Sequence, residues 1–412
     1  MKKKLILFGA VIYCLSLSCN DDLKSTNLFQ GEKRLKEAYG LCAHIGSKYM
    51  KTNVRDSVIK NISQLGVDIV RTDLYWDNIQ TKTSTTKSYV HLDNMFKSLE
   101  NNNLRSLSIL DYSIIGCEDI WNHTNEWGDY IKGIVKRFDT NVDYWEIWNE
   151  ENHPHFWQGV PSAKQYLEIL RKASTIIRNE DKHSTVLMGG LAGMDEKYLE
   201  DLFDLGGDKY FDIVNFHYYP NIKPELLISQ FDKLKKILRK YHCNKKVWLT
   251  EIGYSTFPSE NVKLRNQVSE EQQAFYLPRI FLIAYCFGVE KVFWYCHKTE
   301  ENDENNREHY FGIVHNNLAP KKAYFAYKTL IKMMPNGSKR PELKKHGNLY
   351  ICSWTTPMGD KVKAYWTTHG QKLYNFNEED CFDIYGNKIS NNEIKVSPSI
   401  IYVKGNTIKR NH

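Results

Sequence analysis

Two glutamates close two apolar runs far apart in this chain: Glu150 ends "WEIWNE" and Glu251 ends "VWLTE". Two carboxyl groups facing each other across a gap are what cleavage of a glycosidic bond requires. One holds a proton for the leaving oxygen, and the other attacks or stabilises the anomeric carbon. Their separation decides the outcome, about 5–5.5 Å for retention and wider for inversion. A strand-end glutamate taken alone is more often an ion-pair partner, so the pair and its surroundings must carry the reading. Around Glu150 the stretch "YWEIWNEEN" (144–152) packs Glu146, Glu150 and Glu151 among aromatic rings. Strand alternation puts Glu146, Trp148 and Glu150 on one face, with Glu150 at its rim and Glu151 beyond the strand end.

Opposed carboxylates need a scaffold that brings distant strand ends together. Apolar, strand-like runs occur at 38–46, 67–76, 104–113, 144–152, 184–193, 211–220, 245–255 and 289–298. Helical stretches lie between them, near Arg55 to Leu65, Leu92 to Asn101, Ala163 to Asn179, Pro224 to Tyr241 and Glu270 to Phe287. Strand–helix alternation over this length predicts an α/β fold, a (β/α)8 TIM barrel with its active site at the C-terminal strand ends. A doubly wound sheet would want a glycine-rich first turn, and "HIGSKY" is not one. From about residue 340 short tyrosine-rich runs broken by Gly, Asn and Pro predict a small antiparallel β-domain. The expected division is a signal peptide at 1–18, a polar tether at 19–35, the barrel at 36–335 and a β-sandwich-like accessory domain at 336–412.

With those strands laid out, "WNE" and "TEIG" closing the fourth and seventh resemble the retaining glycoside hydrolases of clan A. The later run "EHYFGIVHNNLAPKKAYFAYKTL" (308–330) is most similar to family 39 and its neighbours within that clan. The resemblance implies that Glu150 is the acid/base, Glu251 the nucleophile, and Asn149 a contact to the sugar 2-hydroxyl. It further implies that His217 of "NFHYYP" touches sugar, that Tyr219 hydrogen-bonds the nucleophile, and that Arg71 steadies it. His44 falls where the clan often has a first-strand histidine, and Trp294 matches the eighth-strand platform under the sugar. Read blandly, Arg71 is an ion-pair partner, His217 a satisfied strand histidine, and the other tryptophans core.

The bulk numbers agree with an enzyme of this kind. The chain has 412 residues, 42% hydrophobic and 25% charged, which excludes a disordered or fibrous protein. Its net charge of +7 is spread along the chain rather than clustered, so no nucleic-acid partner is expected. Nine cysteines show no CxxC or other metal-ligand spacing, so no metal, cofactor or disulfide framework is expected. Lys2 to Lys4, the apolar run Leu5 to Leu17, and Ser18-Cys19 read as a lipoprotein signal with Cys19 as the lipidated residue. Asn20 to Asp22 after it resemble the acidic export signal of Bacteroidetes surface lipoproteins. The sequence therefore predicts a lipid-anchored hydrolase of a poly- or oligosaccharide at the outer membrane, surface-exposed or else periplasmic. Its alternative is a catalytically silent carbohydrate-binding lipoprotein on the same fold.

Overall fold

Eight parallel strands close on themselves in sequence order: β1 (Tyr39–Cys42), β2 (Ile69–Asp73), β3 (Arg105–Leu110), β4 (Tyr144–Asn149), β5 (Thr185–Ala192), β6 (Ile213–His217), β7 (Lys246–Ile252) and β8 (Lys291–Trp294). The ring shuts where β8 pairs with β1, Gly40 opposite Phe293 and Leu41 opposite Trp294. This computed structural model describes residue 29 and residues 32–405, apart from 82, 84–85, 221–222, 259–266, 301–305, 377–378 and 391–392. The signal segment and Cys19 lie outside the described residues.

Most helices between strands are amphipathic and turn one stripe onto the barrel wall, whereas Glu270–Cys286 is buried on every side from Tyr276 onward. The helix Thr52–Leu65, for example, buries Arg55, Val58, Ile59, Ile62 and Leu65 and ends at Gly66, whose φ of 91° suits glycine. Inside the barrel the lumen is filled rather than open. Cys42, Ile69, Leu107, Leu187, Ile213, Trp248 and Phe293, one from each of seven strands, form a single buried cluster. A packed floor of this kind leaves only the two ends of the barrel for polar chemistry.

The C-terminal residues form a six-stranded antiparallel sheet. Its order is β14 (Lys388–Ile389), β13 (Asp380–Phe382), β16 (Ile401–Gly405), β11 (Lys361–Thr367), β10 (Leu349–Thr355) and β9 (Glu342–His346). Alternation splits its side chains cleanly. Tyr350, Cys352, Trp354, Ala364 and Trp366 join the core shared with the barrel helices, while Leu349 and Tyr365 face the other way. That outer face is covered by a two-stranded ribbon of β12 (Lys372–Asn375) and β15 (Glu393–Val396) through Ile394 and Val396. The layer is thus a sheet backed by a ribbon, not two full sheets.

The end of the expected tether is not free. Phe29 packs edge-on against Phe231, and Leu35 is buried while exchanging backbone hydrogen bonds with Gly337 and Ser338. Phe29 and Leu35 are the apolar side chains through which it docks.

Candidate active site

At the C-terminal mouth the apolar filling gives way to a buried polar cluster, and Arg71 of β2 is its centre. Its Nε and Nη2 donate to the two oxygens of Glu146 on β4, each at 2.8 Å. Nη2 also donates to Asn149 Oδ1 at 2.9 Å, and Nη1 donates to Glu251 Oε1 at the end of β7. The planar guanidinium fork suits this bidentate geometry, and Glu146 fixes its plane from below. Burial alone would weaken Arg71's hold on its proton, but Glu146 and Glu251 keep its pKa well above the ordinary range.

The second oxygen of Glu251 accepts from Tyr219 Oη and lies 3.5 Å from His217 Nδ1. Burial pushes the Glu251 carboxyl up, yet His217, Arg71 and Tyr219 more than offset it and hold the group below its ordinary 4.5. Burial and then the charge of Glu251 push the Tyr219 hydroxyl far up, so it remains a donor. Opposite, an oxygen of Glu150, an oxygen of Glu251 and a ring nitrogen of His217 all lie within 4.8 Å of one another. Among the described residues this trio is also the one acidic–histidine group spaced to hold a cation. His217, however, already engages both nitrogens. Nδ1 is 2.9 Å from Glu150 Oε1, and Nε2 is 3.1 Å from Thr250 Oγ1, which donates to Asn215.

The strands bend locally to make this arrangement. Trp148 has φ of 73° and Glu150 φ of 51°, both in the left-handed region that non-glycine residues seldom adopt. The turn at Trp148 breaks the expected alternation. Trp148 swings outward onto Trp127, Trp157 and Tyr112, and Asn149 turns inward to Arg71 instead. So Glu146 and Glu150 share the mouth without Trp148. On β5, Gly189 and Gly190 leave the room this needs. A Cβ on Gly189 would sit 2.1 Å from Glu151 Oε2, and one on Gly190 would sit 2.0 Å from His217 Nε2. Glu151 is fully buried, and burial pushes its carboxyl well above the ordinary range.

Of the residues singled out in the sequence, Arg71, Asn149, Glu150, His217, Tyr219 and Glu251 come together here. His217 does so differently from expectation: with 0% exposure it has no surface for a sugar, and it acts on both carboxylates from beneath. His44 sits at the rim with 47% of its side chain exposed. Its Nδ1 is 2.8 Å from Asp73 Oδ2 and its Nε2 3.3 Å from Tyr295 Oη. Trp294 does not reach the mouth at all. It is buried in the layer between barrel and helices near Tyr254, because Phe293 points into the lumen and its neighbour must point out. The eighth-strand ring at the mouth is Tyr295, packed edge-on to Tyr219 and Phe311.

Three further residues belong to the site. Tyr112 accepts from Asn149 Nδ2 at 2.8 Å and stacks between Tyr75 and Phe156. Asp73 is raised by burial but pulled down to about 2 by the His44 hydrogen bond and charge, with help from Arg71 and Tyr75. Asp111, fully buried just past β3, is pushed well above the carboxylate range by burial, then by the charge of Asp73 and a hydrogen bond to it. The neutral form of Asp111 is therefore favoured beside Asp73. The position of Asp111 and Asp73 at strand ends was the available signal; "LDYS" and "RTDL" carry it.

A family model described as cellulase, glycosyl hydrolase family 5, matches residues 28–285, more than half of the chain. No curated protein matches the sequence. Similar solved structures include a family 39 glycoside hydrolase from the gut symbiont Bacteroides cellulosilyticus. It is 20% identical, with 90% of this chain and 81% of that one covered, at a TM-score of 0.72. A glucosidase from Croceicoccus marinus is 10% identical, covering 92% and 97%, at 0.66. A monomeric beta-xylosidase from Caulobacter crescentus is 11% identical, covering 91% and 97%, at 0.65. At these identities the likeness is one of fold.

Proposed function

The chain belongs to the cellulase family, glycosyl hydrolase family 5, and from that membership we propose a retaining O-glycosidase acting by double displacement with Glu251 as nucleophile and Glu150 as acid/base. That it is a glycoside hydrolase with a carbohydrate substrate follows from the family; the mechanism and roles are the proposal. The observation that carries it is the close approach of the two carboxylates, an oxygen of each within 4.8 Å. That spacing suits direct attack and falls short of the roughly 6.5–9.5 Å separation of inverting enzymes.

In the first step Glu251 attacks the anomeric carbon while Glu150 gives its proton to the leaving oxygen. Arg71 and Tyr219 keep Glu251 ionised and aimed, and His217 fixes the Glu150 carboxyl through Nδ1. In the second step Glu150, now a base, takes a proton from water, which attacks the glycosyl-enzyme and releases a sugar of unchanged configuration. Asn149, cross-braced by Arg71 and Tyr112, contacts the 2-hydroxyl in this reading. Tyr295 and His44 line the sugar's other side.

A release screen over plant, host and microbial polysaccharides and aryl glycosides, with beta-linked gluco- and xylo-configured substrates included, tests this. Wild type should release a product whose anomer, read by proton NMR at early times, matches the substrate. Glu251→Ala should lose turnover by at least about 10⁴-fold. Glu150→Ala should keep its first step on aryl glycosides with good leaving groups. An inverted first-formed anomer, or full activity of either variant on a natural glycan, would sink the proposal. Saturable glycan binding without release in the wild type would favour a binding protein instead.

The same reading has the chain exported and held at the outer membrane through a lipid on Cys19, facing outward. Its support is the run from Lys2 to Asp22, which lies outside the described residues. No helix among the described residues is long and apolar enough to cross a membrane. Fatty-acid labelling that is lost in Cys19→Ser, with protease shaving of intact cells, checks anchor and orientation separately.

A further inference from the structure

We infer that Cys286 and Cys352 form a disulfide that staples the C-terminal sheet to the barrel. Cys286 is the last residue of the helix Glu270–Cys286, and Cys352 is the middle residue of β10. Their sulfurs lie 3.3 Å apart, both fully enclosed in the core shared by the two domains. A disulfide of about 2.05 Å would draw the two sulfurs roughly 1.3 Å closer. Other cysteines behave differently. Cys42, Cys296 and Cys381 turn their sulfurs to the carbonyl oxygens of Thr250, Lys298 and Glu379. Among the described residues the facing pair has no such acceptor, and each sulfur points at the other.

The chemistry also says when the bond forms. Exchange needs a thiolate, and burial pushes the Cys352 thiol well above its ordinary 9.0. In the docked state neither sulfur is reachable. The bond therefore closes while the C-terminal strands are still settling. One thiolate attacks an oxidant disulfide, either oxidised glutathione or the active-site disulfide of a thiol oxidase. The second cysteine then displaces that mixed disulfide. One sulfur–sulfur bond forms, two protons leave, and the oxidant takes up the electron pair as two thiols. The two positions are 66 residues apart, so the link removes considerable freedom from the unfolded chain. It joins elements remote from the catalytic mouth and does not depend on how that site works.

The test is peptide mapping of full-length protein refolded with oxidised glutathione and alkylated in denaturant without reductant. The expected result is a cross-linked pair of peptides containing Cys286 and Cys352, lighter than their sum by two hydrogens and abolished by phosphine. Reduction in denaturant followed by refolding under reductant should lower Tm by on the order of 5 °C, with glycosidase activity at ambient temperature unchanged. Cys352→Ser should remove the cross-link and the sensitivity of Tm to reductant. Recovery of both cysteines as alkylated peptides after refolding with oxidant, or pairing of either with another cysteine, overturns the inference. The wild-type map is decisive even if the variant fails to fold.

Discussion

Arg71 holds together two buried carboxylates that would otherwise repel each other, and the pH behaviour of the site follows from that. Glu251 has a folded-state pKa below its ordinary 4.5. Its ionised form thus contributes stability at pH above that value, and the contribution is lost as pH falls through the lowered pKa. The nucleophile must be ionised to attack, so the acid limb of kcat/KM should lie below the usual glutamate range. Arg71→Met removes the counter-charge to both Glu146 and Glu251. The limb should then move to higher pH, kcat/KM should fall by roughly 10²–10³-fold, and the fold should lose about 3–5 kcal/mol because two buried charges lose their partner. A pH–rate profile of the variant with an unmoved acid limb would show that Arg71 does not tune Glu251. Asp73 and His44 respond in opposite directions. The depressed Asp73 contributes stability above its ordinary 3.8 and loses it towards about 2, whereas the raised His44 contributes below its ordinary 6.5 and loses it as pH rises.

Strands position these residues, and their alternation is where sequence reasoning both succeeded and failed. Eight apolar runs were legible because a buried parallel strand is a run of apolar residues bounded by turns, and each run became a strand in the expected order. Glu150 and Glu251 were legible because each closes such a run. The side a residue faces was harder to read. At β8 plain alternation was the better guide: Lys291, Phe293 and Tyr295 share one side, Val292 and Trp294 the other. The family resemblance drew attention to the tryptophan one place away. At Trp148 alternation itself misled, because a left-handed residue inside the strand end resets the pattern and nothing local announces it. The two assignments make separable predictions. Tyr295→Ala should raise KM about tenfold at a folding cost of about 1–2 kcal/mol. Trp294→Ala should cost about 3–5 kcal/mol of folding free energy and leave KM of the folded fraction unchanged. The reverse pattern would restore Trp294 as the platform. The glycine pair in "MGGLAG" is a further signal that became readable only in three dimensions. Gly190→Ala would drive a methyl into the His217 ring. It should lower kcat by at least about tenfold through His217's two carboxylate contacts, at about 1–3 kcal/mol of overpacking, as separate kcat and chemical-denaturation measurements would show.

At the scale of the whole molecule the barrel and the C-terminal sheet share one core, and a buried ion pair pins them. Glu225, in the turn after β6, accepts from Arg279 of the helix Glu270–Cys286 through Nε at 3.0 Å and Nη2 at 2.5 and 2.6 Å. It also accepts from Trp366 Nε1 on β11 at 2.9 Å. Arg340 reaches the other way, from the start of the sheet to the carbonyls of Tyr285 and Val289. With Tyr350, Trp354 and Trp366 packed in the barrel's own hydrophobic cluster, the sheet cannot unfold without exposing barrel core. The two parts should therefore melt together although their sequences look like separate units. Glu225→Gln tests this at one atom. It leaves Arg279, almost wholly enclosed, as an unpaired buried charge, which should destabilise the protein by about 3–5 kcal/mol. Because the contact ties barrel to sheet, the loss should appear as one cooperative transition at lower denaturant, seen equally by Trp fluorescence, far-ultraviolet circular dichroism and activity. Two separated transitions, with activity surviving the first, would mean that the barrel stands by itself and that the sheet only rests on it.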